Sequence, residues 1–179
     1  MLATFFYAPP SQDLLDRVAS VQADGGTVLQ SAWADFALAC KNAQQEAVRE
    51  EYEEMFIGVG KPEVMLYGSY YLSGFLMEKP LADLRSDLAK LGIERAEEVV
   101  ESEDHIATLC EVMRYLITSD DVVHAGLHQQ KAFFAAHMQP WVVDCCNAVE
   151  ASRHADFYKS VARLARAFFE VEIQAFDML

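Results

Sequence analysis

The chain has 179 residues, 53% of them apolar, which excludes a disordered segment and allows one domain with a sizeable core. Fourteen basic residues against twenty-eight acidic ones give a net charge of −14, a surface that repels phosphate backbones and anionic lipid and so speaks against nucleic-acid and membrane-surface partners. No run of about 18 apolar residues is present to span a bilayer, and the opening "MLATFFYAPPSQDLL" lacks the basic start of a secretory signal, so a cytoplasmic protein is expected.

In chain order, everything legible reads as helix. Ser11 is placed to cap a helix over 11–22, which Asp24-Gly25-Gly26 breaks. Residues 27–40 carry Val28, Ala32, Trp33, Phe36 and Cys40 at three- and four-residue steps, and 43–57 place Val48, Tyr52, Met55 and Phe56 on one face among glutamates. The stretch "GVGKPEVMLYGS" (58–69), with three glycines and a proline, predicts an irregular connection. A short segment at 69–77 precedes a helix that starts at Pro80 and ends near Gly92. The acidic run 94–104 reads as a hinge with one further helical turn. Beyond it come helices over 104–117, 120–138, 141–151 and 154–176, the last strongly apolar. Neither a period-2 strand nor an internal repeat is visible. The expected fold is all-α: a single compact domain, 1–179, of about eight to ten helices, in two halves (1–93 and 105–179) joined by the hinge.

Candidate chemistry centres on "ESEDHIATLCEVMRYL" (101–116), where Asp104 and His105 head an apolar-periodic run. An Asp in a first helical turn is favoured by capping and by the helix dipole without any further role. A catalytic Cys-His pair is rejected, because Cys110 stands five residues from His105, roughly 140° around a helix. Asp120, His124 and His128 repeat at four-residue steps and two such imidazoles can share a metal, but HExxH and the Glu-x-x-His repeat of di-iron bundles are absent. No metal is expected, and a solvated helix face explains the spacing. Gly58 and Gly60 match neither a Walker nor a GxGxxG pattern and are expected to turn the backbone. Cys40, Cys110, Cys145 and Cys146 form no CxxC and no zinc-ligand spacing, as expected of buried free thiols in a reducing compartment. Around the glycine-containing loop gather Tyr52, Phe56, Tyr67, Tyr70, Tyr71 and Phe75, with Met55, Met65 and Met77 nearby. Core packing accounts for Phe56 and Phe75, while the tyrosines and methionines suit the wall of an apolar groove, and an acidic rim beside it suits a peptide that is basic and then apolar.

Taken together, "EYEEMFIGVGKP", "LYGSYYL", "ESEDHIATLCEVMRYL", "QQKAFFAAHMQPWVVDCCNAV" and "DFYKSVARLARAFFEVE" resemble in order and spacing the TorD/DmsD/NarJ-like family of redox-enzyme maturation chaperones, over about 45–172. The family's aromatic-x-x-Leu-Phe-x-Gly pattern falls on Tyr52, Met55, Phe56 and Gly58, with Met in place of Leu. Its Glu-Pro-x-Asp-His signature falls on Glu101 to His105, with Ser102 in place of Pro. The aromatic-x-Ser stretch falls on Tyr67 and Ser69, and the later Gln, Phe and His-x-x-x-Trp features on Gln130, Phe133, His137 and Trp141.

The resemblance implies a non-enzymatic cytosolic chaperone. Such a protein binds the twin-arginine signal peptide and apoprotein of a molybdenum-containing oxidoreductase, aids cofactor insertion and delays export until maturation. The peptide-binding residues it implies are Tyr52, Met55, Phe56, Tyr67, Ser69, Tyr70, Asp104 and His105. Asp104 is the expected acceptor for an arginine or a backbone N–H, and Asp104→Ala is expected to weaken peptide binding with thermal unfolding nearly unchanged. No resident cofactor is implied, although some relatives bind guanine nucleotide weakly, and the state is a monomer or a helix-swapped dimer. Two alternatives stand beside this reading: a small helical metal-dependent hydrolase using His105, His124 and His128, and a docking module that ignores leader peptides.

Overall fold

The computed structural model describes every residue except 23–24, 97 and 120–125. Among the described residues it contains ten α-helices, one π-helical turn and no strand beyond an isolated antiparallel bridge between Tyr67 and His105. No helix among them is long and apolar enough to cross a membrane. The chain divides into two compact units, one of Met1–Met65 with Val143–Leu179 and one of Leu66–Val142. The stretch 94–104, expected to be the hinge, lies inside the second unit, where Arg85 reaches across to Glu103 at 2.9 Å.

The first unit holds α1 (Leu2–Tyr7), α2 (Gln12–Ala19), α3 (Val28–Asn42), α4 (Gln45–Tyr52) with the π turn Glu53–Ile57, most of α9 (Val142–Ala151), and α10 (Phe157–Asp177). Ser11 caps α2 as expected, its Oγ accepting from Leu14 N at 3.3 Å. Thr27 and Gln30 form a reciprocal capping box at the start of α3, satisfying backbone donors at both ends of the pair. The apolar stripes then meet: α10 packs on α3, α4 and α1, and α2 on α3. Phe5, Phe36 and Phe157 form the aromatic heart, Phe5 edge-on to Phe36 with centroids 5.0 Å apart. Each fully buried ring of this kind contributes about 1.5–3 kcal/mol.

Helix α1 is only six residues long, too short to persist on propensity. Its last carbonyls have no partner within the helix, and distant tyrosines supply one. Tyr158 donates to Phe5 O at 3.1 Å, and Tyr52 donates to Phe6 O at 3.2 Å and Tyr7 O at 2.9 Å. At the start of α10 the same logic runs with the opposite sign. No side chain of its own N-cap, Asp156, serves it, and Glu51 from α4 accepts from Asp156 N at 2.8 Å, Phe157 N at 3.0 Å and Tyr158 N at 2.7 Å. A carboxylate at this position satisfies orphan donors and complements the helix dipole.

The second unit holds α5 (Gly68–Ser73), α6 (Lys79–Lys90), α7 (Ile106–Thr118) and α8 (Leu127–His137). Pro80 sits in the first turn of α6, and Gly92 just beyond its end has φ +65°, a left-handed value that glycine adopts without strain. Helices α5 and α6 pack together, as do α7 and α8, where Gln130 Nε2 donates to Leu116 O at 3.3 Å near the end of α7. The further helical turn expected in 94–104 is reduced to a single turn hydrogen bond, Val99 N to Ala96 O at 3.1 Å.

Candidate functional site

The second unit is tied together at the Asp104-His105 pair. Two backbone bonds flank it, Gly68 N to Asp104 O at 2.9 Å and Ile106 N to Leu66 O at 2.8 Å, and these make the isolated bridge. The Asp104 carboxylate is 3% exposed and both its oxygens are engaged, Oδ2 by Ser69 N at 2.8 Å and Oδ1 by Ser102 Oγ at 2.5 Å. Ser102, which stands where the family has proline, thereby gives the carboxylate a second donor. His105 is equally buried; its Nδ1 caps α7 by accepting from Ala107 N at 3.2 Å, and Tyr67 packs edge-on against its ring. Burial pushes the His105 imidazole down to about 4, the nearby Glu101 and Asp104 charges opposing the shift only in part. At neutral pH it is therefore an uncharged cap. Asp104 and His105 brace the unit from within, and the expectation that Asp104→Ala leaves unfolding unchanged does not fit a carboxylate so placed.

Beside this brace opens a cleft of about 310 Å³. Asp104 and Ser69 line one side, Asp83 and Asp87 of α6 another, and His137 closes it. Asp83 and Asp87 are four residues apart and so share one face of the helix. His137 Nε2 lies 2.9 Å from Asp87 Oδ2. Lys90 holds the Asp87 carboxyl below its ordinary range by a hydrogen bond, burial opposes this, and His137 adds to it. The remaining partners of the two acids are Lys79, 2.5 Å from Asp83, and Lys90, 2.6 Å from Asp87. Both lysines are largely exposed, and solvated pairs of this kind hold weakly and exchange with water. Ser69 is different. It is 1% exposed and its Oγ has no hydrogen-bond partner among the described residues.

Trp141 fixes the wall behind Ser69. Its Nε1 donates to His137 O at 2.7 Å, Tyr71 stacks on its ring at 5.5 Å, and its indole lies so close to Gly68 that a Cβ there would stand 2.9 Å from Nε1. At the outer end of α5 the cleft residue Leu72 leads into a turn that exposes Phe75 (70%), Leu76 and Met77 (81%). Ser73 Oγ, donating to Ser69 O at 2.7 Å, steadies this turn, as does Gly74 at φ +84°. Met77 has φ +60°, a left-handed conformation that costs a non-glycine residue about 1 kcal/mol.

Of the residues expected to bind peptide, Ser69 and Asp104 line the cleft, with His105 next to it. Tyr67 is half-buried, its hydroxyl donating to Glu101, and Tyr70 packs edge-on to Tyr71 at 5.5 Å. Tyr52, Met55 and Phe56 belong to the first unit and are buried in its core, Tyr52 and Phe56 forming an aromatic trio with Tyr158. That packing occupies side chains expected on a groove wall. Asp83 and Asp87 are not marked by any sequence motif, and their four-residue spacing carries a signal only once Asp87 is seen to meet His137 of α8.

Among the described residues no group of three or more His, Cys, Asp or Glu is placed to hold a metal ion. His124 and Asp120 lie outside the described residues. His105 stands at the start of α7, whereas Gln130, two residues beyond the exposed His128, bonds near its end, roughly 15 Å away along a helix of this length. Burial pushes the Cys40 and Cys110 thiols up to about 12, so neither is a thiolate nucleophile near neutrality.

The family model "Nitrate reductase delta subunit" matches residues 23–147, which include the whole of the brace, the cleft and the turn. The chain belongs to this family. Curated relatives bear the name "Chaperone protein TorD". That of Vibrio parahaemolyticus is 24% identical over 74% of this chain and 65% of its own length, and that of Vibrio cholerae serotype O1 is 26% identical over 78% and 66%. The chain thus spans just under two thirds of the length of these relatives. A solved structure of an Archaeoglobus fulgidus protein described as acting in redox enzyme maturation superposes with a TM-score of 0.63, covering 94% of this chain and 91% of its own at 23% identity, and shows that the all-helical fold is shared.

Proposed function

We propose that this family member is a cytoplasmic chaperone without enzymatic activity. It binds the twin-arginine leader and apoprotein of a molybdenum-containing oxidoreductase precursor and holds back export until the cofactor is inserted. The observation that carries this reading is the acidic cleft of the second unit, lined by two half-exposed carboxylates and by a buried serine whose hydroxyl has no hydrogen-bond partner among the described residues, beside exposed apolar side chains. Guanidinium groups are the cations best matched to carboxylates by geometry, and the net charge of −14 draws a basic segment in from a distance. Family membership and the name of the curated relatives agree with it.

The test is capture from the native cytosol on the tagged chain, with mass spectrometry of what is retained. Recovery of one large molybdoenzyme precursor with its leader attached, and loss of that recovery when the leader is deleted, is the expected result. Equal recovery of the leaderless precursor would make the chain a docking module, and recovery of no precursor from cells that express one would end the chaperone reading. Binding is also expected to weaken as salt rises, since part of the attraction is between charges.

A further inference from the structure

We infer that the second unit recognises its peptide in two adjoining steps: an arginine side chain enters the cleft between Asp83, Asp87 and Ser69, and the apolar residues that follow lie on the ridge of Leu72, Phe75, Leu76 and Met77. This rests on the leader-binding reading above and assigns the contacts to residues that the family signature does not include.

The cleft is built for a planar cation. Asp83 and Asp87 share one face of α6, so a guanidinium with five donors in a fixed fork reaches both carboxylates, while a lysine ammonium is a point charge that matches one. Among the described residues, Asp87 Oδ2 is taken by His137 and Oδ1 is held only by the exposed Lys90, as Asp83 is held only by the exposed Lys79. An arginine displaces these lysines into water, where they lose little. Ser69 Oγ, buried and without a hydrogen-bond partner among the described residues, supplies the third contact when its side chain rotates toward the cleft, where it accepts from a guanidinium N–H. Asp104 is 3% exposed, and its two oxygens accept from Ser69 N and Ser102 Oγ, so we assign it as a positioning residue that holds Ser69 at the cleft.

Leu72 belongs to both steps, lining the cleft and opening the exposed turn. Four apolar side chains in a six-residue turn, two of them more than two thirds exposed, form a surface that soluble proteins keep for a partner. The turn is held in place by the Ser73 hydrogen bond and the left-handed Gly74 and Met77, so the apolar surface is presented by a defined backbone. Methionine and phenylalanine there accommodate apolar segments of varied sequence. Acid in the cleft and apolar side chains outside it call for a ligand in which an arginine adjoins an apolar tract.

The probe is a synthetic peptide carrying Arg-Arg followed by an apolar tract of Leu and Ala, titrated into the full chain by calorimetry beside versions with Lys-Lys or Ala-Ala in place of Arg-Arg. Wild type is expected to rank Arg-Arg above Lys-Lys above Ala-Ala. The double variant Asp83→Asn with Asp87→Asn, isosteric and with His137 still able to hydrogen-bond, is expected to lose about tenfold in affinity for the Arg-Arg peptide and to bind all three alike. Phe75→Ser with Met77→Gly is expected to weaken all three by a similar factor while keeping their ranking, with the melting temperature unchanged or raised by relief of the left-handed strain. If wild type binds the Arg-Arg peptide and the Asn variant binds it equally well with the same ranking, the cleft assignment is wrong while the leader-binding reading stands. If the ridge variant binds all three as wild type does, the apolar step is wrong. Failure of wild type to bind any of them overturns this inference and the reading beneath it together.

Discussion

The two units spend their polar groups in opposite ways. In the first, hydroxyls and carboxylates are consumed by backbone: Tyr52 and Tyr158 serve the carbonyls of α1, and Glu51 serves three amides at the head of α10. Its large aromatic side chains are likewise turned inward, Phe5, Phe36 and Phe157 among them. The second unit consumes Asp104 and His105 in its own bracing but leaves Ser69 Oγ without a hydrogen-bond partner among the described residues, Asp83 and Asp87 in weak surface pairs, and Phe75 and Met77 in solvent. The first unit also buries a carboxylate oxygen without a hydrogen bond, Glu150 Oε1, but Arg166 Nη2 lies 3.2 Å from it and pairs its charge. A region that leaves a buried hydroxyl unbonded and apolar side chains in solvent lowers its free energy by binding. By that measure the proposed recognition belongs to the second unit.

The sharpest break would come from the scaffold. Phe36→Ala removes a ring packed against Phe5, Phe157 and Trp33, and is expected to cost about 3–5 kcal/mol in chemical denaturation. Next is the His105 imidazole, whose folded-state value of about 4 lies below its ordinary 6.5. Between these values the unfolded chain binds the proton and the folded chain does not, so stability is complete above about pH 6.5 and declines as pH falls toward 4. The loss is on the order of 3 kcal/mol. His105→Asn, which retains a capping acceptor, is expected to flatten that decline in urea titrations run across the window; an unchanged slope would assign the acid sensitivity elsewhere.

Asp104→Ala should follow, at about 2–3 kcal/mol, because Ser69 N loses its acceptor in a buried place. Peptide affinity should fall with it only through the displacement of Ser69, so an affinity loss without a stability loss would restore Asp104 as a direct ligand contact. The smallest effect is expected at Glu51→Ala, about 1–2 kcal/mol from the uncapped start of α10, with peptide titrations unchanged. An affinity loss there would break the division between scaffold and recognition unit.

Periodicity in the chain was enough for the helices that carry long apolar stripes, since a three-four repeat has one low-energy solution in water. The strong stripe of α10, the Ser11 cap, and the proline start and glycine end of α6 were legible for that reason. So was the Asp104-His105 pair as a focus of the second half, together with Ser69. Helix α1 was not, because its partners Tyr52 and Tyr158 stand 45 and 153 residues away in the chain. Nor was the burial of Tyr52 and Met55, whose residue types suit a groove and a core equally, nor the exposure of Phe75, which was expected in the core with Phe56.

By itself, then, the sequence determined an all-helical chain, its acidity and its family, since each of these is a local or summed property of the residues. Tertiary structure alone decided which polar groups were left over. Asp83 and Asp87 read as an ordinary solvated helix face until α6 is set against Ser69 and His137. Asp104 reads as a ligand contact until its two oxygens are seen to be taken. Satisfaction of a hydrogen bond is a property of pairs brought together by folding, and no single position along the chain carries it.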